Sequence, residues 1–300
     1  MERVVLTKDL SFSRFIYGFW RLADWKYSKE KTLELIEFCI ENGITTFDHA
    51  DIYGGYTCES LFGNALKLKP SLREKIEIVT KCGIVLPSKN RSNHKTHHYN
   101  TSKDHIIRSV DQSLSSLQTE YIDALLIHRP DPFMDPAEVA EAFYQVKKQG
   151  KVRNFGVSNF KEHQFNMLQS YLDEPLITNQ IEVSAYQLEN FEDGTIDNCL
   201  KNRINPMIWS PLAGGKIFND TSSKAIRLRT ALENIAIEIG APSIDIVLYA
   251  WLLKHPGKFM PIIGSGKIER ILRAIHSLDY SLSLDQWFEI YQSSLGHDVP

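Results

Sequence analysis

The sequence contains no long apolar run and little net charge, and each shortage argues against a class of protein. No apolar stretch approaches the roughly 20 residues that a helix needs to cross a bilayer. The N-terminal segment MERVVLTKDL lacks the basic flank and apolar core of a signal peptide. The net charge of −3 gives no general electrostatic reason to bind nucleic acid or an anionic membrane. We therefore expect a cytoplasmic protein with no nucleic-acid or membrane partner.

Residues that could bind a metal ion or form a disulfide are also few. The 300-residue chain has four cysteines without CxxC spacing, namely Cys39, Cys58, Cys82 and Cys199. Reduced thiols are typical of a cytoplasmic enzyme. The polar stretch 87–101 (PSKNRSNHKTHHYNT) contains His94, His97 and His98, but their spacing lacks the regular helix or the cysteine partners of common metal sites. We predict that no metal is bound.

Short apolar runs alternate with amphipathic segments along almost the whole chain. Eight runs are rich in Ile, Val and Leu, as expected for parallel strands that are buried on both faces. These predicted strands are Phe15–Phe19, Ile44–Phe47, Ile76–Thr80, Ile122–Ile127, Val152–Val157, Ile177–Gln180, Pro206–Trp209 and Met260–Ile263. The predicted helices are Lys29–Glu41, Cys58–Leu68, Ser102–Leu117, Pro136–Gln149, Lys161–Tyr171, Gly194–Asn202, Ser223–Ile239 and Lys267–Leu278.

Eight strand–helix units over roughly 250 residues favour an α/β fold of the (β/α)8 TIM-barrel type over a doubly wound sheet. No linker rich in Pro, Gly or Ser divides the chain, so we predict a single domain over residues 1–300. Two segments lie outside the repeat: VVLTKDLSF predicts an N-terminal β-hairpin, and LSLDQWFEIYQSSL predicts an extra C-terminal helix. In such barrels the chemistry collects at the C-terminal ends of the strands.

Four ionisable side chains follow three successive predicted strands. Asp48 and Tyr53 follow ITTF, Lys81 follows IVT, and His128 follows LLI. Taken singly, Asp48 or Asp51 can cap a helix, and the other side chains have ordinary structural roles. Together they make a proton donor, because an ammonium beside a phenol favours the phenolate and a carboxylate can hold that ammonium. We expect Lys81 to make the Tyr53 phenol a better acid and Asp48 to pair with Lys81. We expect His128 to direct a substrate carbonyl toward the phenol by hydrogen bonding.

Glycine-containing segments follow the last two predicted strands, where barrels of this type often hold phosphate. These segments are WSPLAGGK (209–216) and IIGSGKIER (262–270). Lys267 and Arg270 fall in the first turn of the predicted helix Lys267–Leu278, where the helix dipole disfavours cations unless an anion is bound. Trp209 offers a flat apolar face to an aromatic ring. Neither segment is a Walker A loop or a GxGxxG fingerprint.

Seven segments in this order carry a resemblance to a known family: DHADIYG, IVTKCG, LLIHRP, GVSNF, NQIE, WSPLAGG and IIGSGKIERI. The sequence resembles the aldo-keto reductase superfamily over about residues 4–276, and bacterial oxidoreductases in particular. The resemblance implies a barrel that binds NADPH and reduces small-molecule aldehydes or ketones to alcohols by hydride transfer. It further implies a catalytic tetrad of Asp48, Tyr53, Lys81 and His128, with Tyr53 as proton donor.

The same resemblance implies a set of cofactor contacts. Ser158, Asn159 and Gln180 match the residues that contact the nicotinamide amide. Trp209 stands at the position of the stacking aromatic residue, which is more often Tyr or Phe in the family. The remaining matches are Ser210, Leu212 and Gly214 at the pyrophosphate, Ser265, Lys267 and Arg270 at the adenosine 2′-phosphate, and Pro211, Gly264 and Gly266 within the same segments.

The sequence departs from the family pattern at three places. Ala274 stands where many relatives have an Asn that contacts adenine. Residues 128–130 read HRP where many relatives have HWP. Arg129 therefore replaces a tryptophan and changes the rim of the substrate site. The polar stretch 87–101 has no clear counterpart in the family.

Two other functions are compatible with the same residues. The family is similar to potassium-channel β-subunits, which keep the tetrad but serve an assembly role, so a complete tetrad does not prove turnover. Lys81 is also a candidate Schiff-base lysine of an aldolase, although Asp48 nearby would keep it charged. The aromatic residues that can line the mouth of the substrate site suggest no particular substrate; these residues are Trp20, Trp25, Tyr27 and Tyr56. The sequence also indicates no oligomeric state.

Overall fold

The eight apolar runs form eight parallel strands that close into a barrel, in a computed structural model that describes residues 1–300. The order of the strands around the barrel is their order along the chain, as predicted for a (β/α)8 fold. Every predicted strand is present, with ends within two residues of the expected ones. The barrel strands are Ile16–Gly18, Thr46–Asp48, Glu77–Cys82, Ile122–Ile127, Val152–Ser158, Asn179–Glu182, Met207–Trp209 and Met260–Ile263.

Helices follow the barrel strands, and all eight predicted helices are present. The α-helices are Leu22–Trp25, Lys29–Glu41, Tyr53–Tyr56, Cys58–Leu66, Lys103–Leu117, Pro136–Lys148, Glu162–Gln169, Glu189–Glu192, Thr195–Lys201, Lys216–Asn219, Ser223–Ile239, Ile244–Lys254, Ile268–His276 and Leu284–Leu295. Short 3-10 helices are Pro70–Lys75, Ala213–Gly215 and Ser277–Asp279. Leu284–Leu295 is the predicted extra C-terminal helix.

One long helix, Ile244–Lys254, is absent from the sequence prediction. Its residues from Asp245 to Leu252 are all buried. A helix that is buried on every side has no polar stripe, so its sequence IDIVLYAWLLK lacks the helical periodicity by which amphipathic helices are recognised. The sequence of this helix therefore shows no helical periodicity of apolar residues, because nearly all of its residues are buried.

Local signals set the ends of the helix Lys29–Glu41. Ser28 is its N-cap, and the Ser28 hydroxyl accepts a hydrogen bond from the backbone N–H of Lys31 at 3.2 Å. Gly43 follows the C-terminus with a φ of 81°, which is the left-handed conformation that commonly ends a helix. Gly43 therefore ends this helix.

The predicted N-terminal hairpin is formed by the antiparallel strands Arg3–Thr7 and Leu10–Ser13. It is tied to the starts of two barrel strands, because the backbone N–H of Ser13 donates to the hydroxyl of Thr46 at 2.9 Å and Arg3 pairs with Glu77 at 2.6 Å. The hairpin therefore leaves the opposite, C-terminal ends of these strands available.

The chain divides into two compact units, Met1–Gln180 and Ile181–Pro300. In the second unit, the indoles of Trp251 and Trp287 stack at 5.0 Å between ring centroids. Each indole N–H donates to the other residue's carbonyl at 3.1 Å, which fastens the C-terminal helix to the buried helix Ile244–Lys254.

No single helix is both long and apolar enough to span a membrane. Two consecutive helices of the second unit, Ser223–Ile239 and Ile244–Lys254, reach the required length and composition only when taken together, and they are bent by 87° at the break between them.

Candidate active site

The parallel register brings three predicted site residues to the same edge of the sheet. Asp48 ends its strand, Lys81 is the penultimate residue of the next strand, and His128 directly follows the third. Asp48 is in register with Val79, and Cys82 is in register with Ile127. Because parallel strands end at one edge, the side chains from successive strand ends meet there.

The ammonium of Lys81 is the centre of the site. Lys81 is fully buried, and its Nζ donates to Asp48 Oδ1 at 2.7 Å, to the carbonyl of His49 at 2.6 Å and to the hydroxyl of Tyr53 at 3.1 Å. These three contacts use all three N–H donors of an ammonium. An amine held in this way has no free lone pair, and this geometry argues against a Schiff-base role.

Asp48 has a second partner that links the tetrad to the predicted nicotinamide contacts. The side-chain amide of Gln180 donates to Asp48 Oδ1 at 2.8 Å, and the hydroxyl of Ser158 donates to the backbone carbonyl of Gln180 at 3.0 Å. The amide of Asn159 donates to the Ser158 hydroxyl at 2.7 Å. The structure therefore joins Ser158, Asn159 and Gln180 to Asp48 in one hydrogen-bonded chain, and Asp48 is not a helix cap.

Burial dominates the electrostatics of the tetrad. It raises the pKa of Tyr53 well above the usual value for a phenol, and the charge of Asp48 acts in the same direction. It lowers the pKa of Lys81, against which the charge of Asp48 acts. The expected tuning of Tyr53 is therefore corrected: the net shift of the Tyr53 pKa is upward, because desolvation of the phenolate is the largest contribution.

His128 lies beside the phenol as a neutral imidazole. Its ring meets the Tyr53 ring edge-on, with 5.9 Å between centroids. Burial lowers the pKa of His128 well below its usual value, and the charge of Lys81 adds to the effect. The buried Nδ1 of His128 has no hydrogen-bond partner in the protein. A neutral imidazole retains one N–H donor, which is suited to a carbonyl oxygen.

Two further acids lie beside the tetrad, and neither is a helix cap. Burial raises the pKa of both Asp51 and Glu59, and Glu59 accepts a hydrogen bond from the hydroxyl of Thr80 at 2.6 Å. The N-cap residues of the two nearest helices are Ile52 and Thr57, and no side chain caps either helix. The capping alternative for Asp51 is therefore excluded.

His49 is a residue of the site that sequence reasoning missed. Its imidazole is fully buried, stacked on Phe19 at 5.0 Å and edge-on to Phe62 at 4.4 Å between centroids. Neither ring nitrogen has a hydrogen-bond partner, and burial lowers the pKa of His49 to about 3. The functional contact of His49 is its backbone carbonyl, which holds Lys81 and leaves no signal in the sequence.

In the second unit, the predicted pyrophosphate loop follows the strand Met207–Trp209. Ser210, Ala213 and Gly214 have φ values of 50°, 50° and 64°, so the loop repeatedly enters the left-handed region. Backbone of this kind forms the concave amide nests that bind anions. A Cβ atom added to Gly214 would meet nothing within 4 Å, so the backbone is open to a ligand at this point.

The predicted 2′-phosphate residues lie at the start of the helix Ile268–His276. Lys267 is the N-cap and carries no capping side chain, and its backbone N–H donates to the hydroxyl of Ser265 at 3.2 Å. Lys267 and Arg270 are exposed. Ala274 is fully buried and apolar, so this position offers adenine no polar side-chain contact.

The histidines of the stretch 87–101 are not gathered around a common point. His94 Nδ1 lies 3.1 Å from the carbonyl of Leu86, and His98 Nδ1 lies 3.0 Å from the carbonyl of Thr96. No group of three or more His, Cys, Asp or Glu residues in the chain is arranged to hold a metal ion.

The sequence that builds this barrel matches a known family model. Residues 14–294 match the model described as the Aldo/keto reductase family. The chain belongs to the aldo/keto reductase family. Membership implies an oxidoreductase with a nicotinamide cofactor and small-molecule carbonyl substrates.

Individual members of the family resemble the chain over its whole length. The oxidoreductase YcsN of Bacillus subtilis (strain 168) is 63% identical over 100% of both chains. A 6-dehydroglucose reductase of Agrobacterium fabrum is 42% identical, also over 100% of both chains. The crystal structure of the thermostable aldo-keto reductase Tm1743, in complex with the inhibitor epalrestat, superposes with a TM-score of 0.83 at 26% identity, covering 98% of this chain and 100% of the other.

Proposed function

We propose that this aldo/keto reductase uses NADPH to reduce aldehydes or ketones to alcohols, with Tyr53 as the proton donor. One observation carries the proposal: the Tyr53 hydroxyl lies 3.1 Å from a fully buried ammonium, that of Lys81, which is itself held by Asp48 at 2.7 Å. The cation lies where it favours the phenolate that forms when Tyr53 gives its proton to a substrate, and it acts against the desolvation that raises the Tyr53 pKa.

The chemistry divides between cofactor and protein. When bound, NADPH supplies the hydride that the carbonyl carbon requires. Tyr53 transfers its proton to the carbonyl oxygen, so the C=O group becomes a CH–OH group and solvent later restores the phenol. Because the Tyr53 pKa is raised well above its usual value, the phenol carries its proton at neutral pH. General acid assistance of this kind contributes roughly 10²–10⁴-fold to the rate.

His128 orients the substrate in this proposal. Its imidazole lies edge-on to the Tyr53 ring, 5.9 Å away between centroids, and is neutral because burial lowers its pKa. The one N–H of the neutral ring donates to the carbonyl oxygen and keeps it near the phenol. A charged imidazolium in the same place would compete with Tyr53 for the role of proton donor.

The fit to NADPH rests on the polar groups of the two predicted contact regions. The hydroxyl of Ser158 and the amides of Asn159 and Gln180 offer both donors and acceptors, as a nicotinamide carboxamide requires. Lys267 and Arg270 are exposed cations at a helix start without a capping side chain, which suits a 2′-phosphate. We expect the enzyme in the cytoplasm, where its four cysteines, all free and buried, stay reduced.

Oxidised sugars are the first substrates to test. A relative that is 42% identical over the whole chain bears the name 6-dehydroglucose reductase. Trp20 lies two residues after the first barrel strand and is 60% exposed, with the guanidinium of Arg21 over its ring at 5.2 Å. An exposed indole at a strand end offers a flat apolar surface to the C–H face of a sugar ring.

The test is a panel of 6-dehydroglucose and simple aldehydes and ketones, assayed by NADPH absorbance with wild type and Tyr53→Phe. We expect the variant to lose at least about 10²-fold in kcat and to bind NADPH as tightly as wild type. Tyr144→Phe makes the same chemical change at an exposed helix position and is the matched control.

Two results would contradict the proposal. Activity of Tyr53→Phe above about a tenth of wild type would remove the proton-donor role, since general acid catalysis is worth more than that. Tight NADPH binding without turnover of any carbonyl compound would favour the regulatory role known from the potassium-channel β-subunits.

A further inference from the structure

The segment that carries Tyr53 has an unusual backbone. Directly after Tyr53, the residues Gly54, Gly55 and Tyr56 have φ values of 58°, 63° and 72°. A Cβ atom at Gly54 would lie 2.6 Å from the sulfur of Cys58, so this position requires glycine. Tyr56 is not a glycine, and its left-handed conformation costs free energy that surrounding contacts must offset.

The polar stretch after the third barrel strand supplies those contacts. The carbonyl of Gly55 accepts hydrogen bonds from the amide of Asn90 at 2.9 Å and from the hydroxyl of Ser88 at 3.2 Å. The hydroxyl of Tyr56 accepts the backbone N–H of Leu86 at 2.8 Å. Both left-handed residues that follow Gly54 are thus held by residues more than 25 positions away.

The ring of Tyr56 is also enclosed by this stretch. The guanidinium of Arg91 lies 4.8 Å from the centroid of the Tyr56 ring, and the His94 ring meets it edge-on at 5.5 Å. His94 Nδ1 lies 3.3 Å from the Tyr56 hydroxyl. We call the segment 86–94 the clamp.

The clamp has a defined structure of its own. Within it, the backbone N–H of Arg91 donates to the carbonyl of Ser88 at 2.9 Å, and that of His94 donates to the carbonyl of Arg91 at 3.0 Å. At its base, the short strands Ile84–Val85 and His98–Tyr99 pair antiparallel. A segment ordered in this way can impose a conformation on the backbone that it contacts.

We propose that the clamp is a positioning device for the catalytic tyrosine, and that Ser88 and Asn90 are its main positioning residues. By fixing the carbonyl of Gly55 they hold the left-handed turn, and the turn sets the place of the Tyr53 phenol relative to Lys81. The inference rests on the proposed reductase function. A misplacement of about 1 Å can reduce a rate by about 10²-fold, so loosening of the turn should slow turnover without removing any group that reacts.

The test compares the double variant Ser88→Ala/Asn90→Ala with the control Asn93→Ala, an exposed asparagine of the same loop. We expect the double variant to lose about tenfold in kcat while its KM stays within about twofold. NADPH affinity should be unchanged. Asn93→Ala should match wild type in all of these measurements.

Hydrogen–deuterium exchange gives a readout that is independent of activity. The backbone N–H of Thr57 donates to the carbonyl of Tyr53 at 3.0 Å and closes the turn. This amide should exchange several times faster in the double variant and at the wild-type rate in Asn93→Ala. If wild type reduces no carbonyl compound, the proposed function fails, yet Thr57 exchange still decides whether the clamp holds the turn.

A second variant covers the case in which the double variant does not fold. Tyr56→Phe keeps the ring next to Arg91 but leaves the N–H of Leu86 without its acceptor, and we expect the same two effects. Unchanged Thr57 exchange in the variants that fold would overturn the inference. A raised KM with unchanged exchange would overturn it as well, because Ser88 and Asn90 would then be substrate contacts.

Discussion

At the scale of single residues, desolvation sets the protonation of the site. Burial is the largest cause of the pKa shifts of Tyr53, Lys81, His128 and His49, ahead of every neighbouring charge. Tyr53 and the two histidines are thereby held in their neutral forms. Lys81 and Asp48, by contrast, form an ion pair. Three hydrogen bonds donated by the Lys81 ammonium hold this pair in place.

His49 gives a test of this desolvation. Its pKa of about 3 in the folded protein compares with 6.5 for an ordinary histidine. As the pH falls below about 6.5, the unfolded chain takes up a proton that the folded protein refuses, so stability is lost. Between about pH 7 and about pH 5, this one residue should lower the free energy of unfolding by about 2 kcal/mol.

The prediction is that His49→Leu removes this part of the acid sensitivity. Leucine has a similar volume and does not titrate, and the carbonyl that holds Lys81 belongs to the backbone and remains. Urea unfolding at the two pH values measures the effect, and wild type should lose about 2 kcal/mol more than the variant. Equal losses would mean that the folded protein protonates His49 readily, contrary to its complete burial.

At the scale of elements, the helix that follows the left-handed turn after Tyr53 packs closely on its neighbour. A Cβ atom at Gly63, in the helix Cys58–Leu66, would lie 2.1 Å from the carbonyl oxygen of Ser116 and 2.7 Å from the carbonyl carbon of Leu117. Both are backbone atoms at the end of the helix Lys103–Leu117, so they cannot move as a flexible side chain would. The glycine sets the separation of the two helices.

Gly63→Ala should therefore destabilise the protein by about 3 kcal/mol. Alanine is favoured over glycine within a helix by about 1 kcal/mol, but the clash with the backbone outweighs this gain. Asn64→Ala is the matched control, because Asn64 is the adjacent, exposed residue of the same helix and should be neutral or slightly stabilising. A Gly63→Ala variant as stable as wild type in urea unfolding would show that the helices separate at little cost.

At the scale of the whole molecule, cofactor binding and folding are coupled. A ligand that binds only the folded protein stabilises it by about 2.7 kcal/mol at 100 times its Kd. A phosphate clamp by Lys267 and Arg270 predicts a preference of order 10²-fold for NADPH over NADH. When the two cofactors are compared at equal concentrations, NADPH should therefore stabilise the folded enzyme more than NADH.

The double variant Lys267→Ala/Arg270→Ala should lose most of this difference and bind NADH almost as wild type does. Thermal unfolding with each cofactor, together with competitive titration, measures both effects. Lys67→Ala/Lys254→Ala removes the same charge from two other exposed positions and should keep the preference for NADPH. Equal Kd values of wild type for the two cofactors would contradict the clamp on the 2′-phosphate.

The sequence by itself determined the barrel and predicted the four residues of the tetrad. Each barrel strand is a short apolar run, and local hydrophobic pattern is the strongest signal of secondary structure. Asp48, Lys81 and His128 could be listed because they follow such runs, and the strand ends of a barrel share one edge. The helix Ile244–Lys254 escaped prediction because complete burial removes the amphipathic pattern.

Only the tertiary structure decided how these residues are held and charged. The carbonyl of His49 holds Lys81, and Gln180 reaches Asp48 across 132 positions in sequence. The clamp on Gly55 is likewise a contact between distant segments. Backbone acceptors carry no side-chain signature, and desolvation depends on everything packed around a group, so neither the contacts nor the upward shift of the Tyr53 pKa follows from the local sequence.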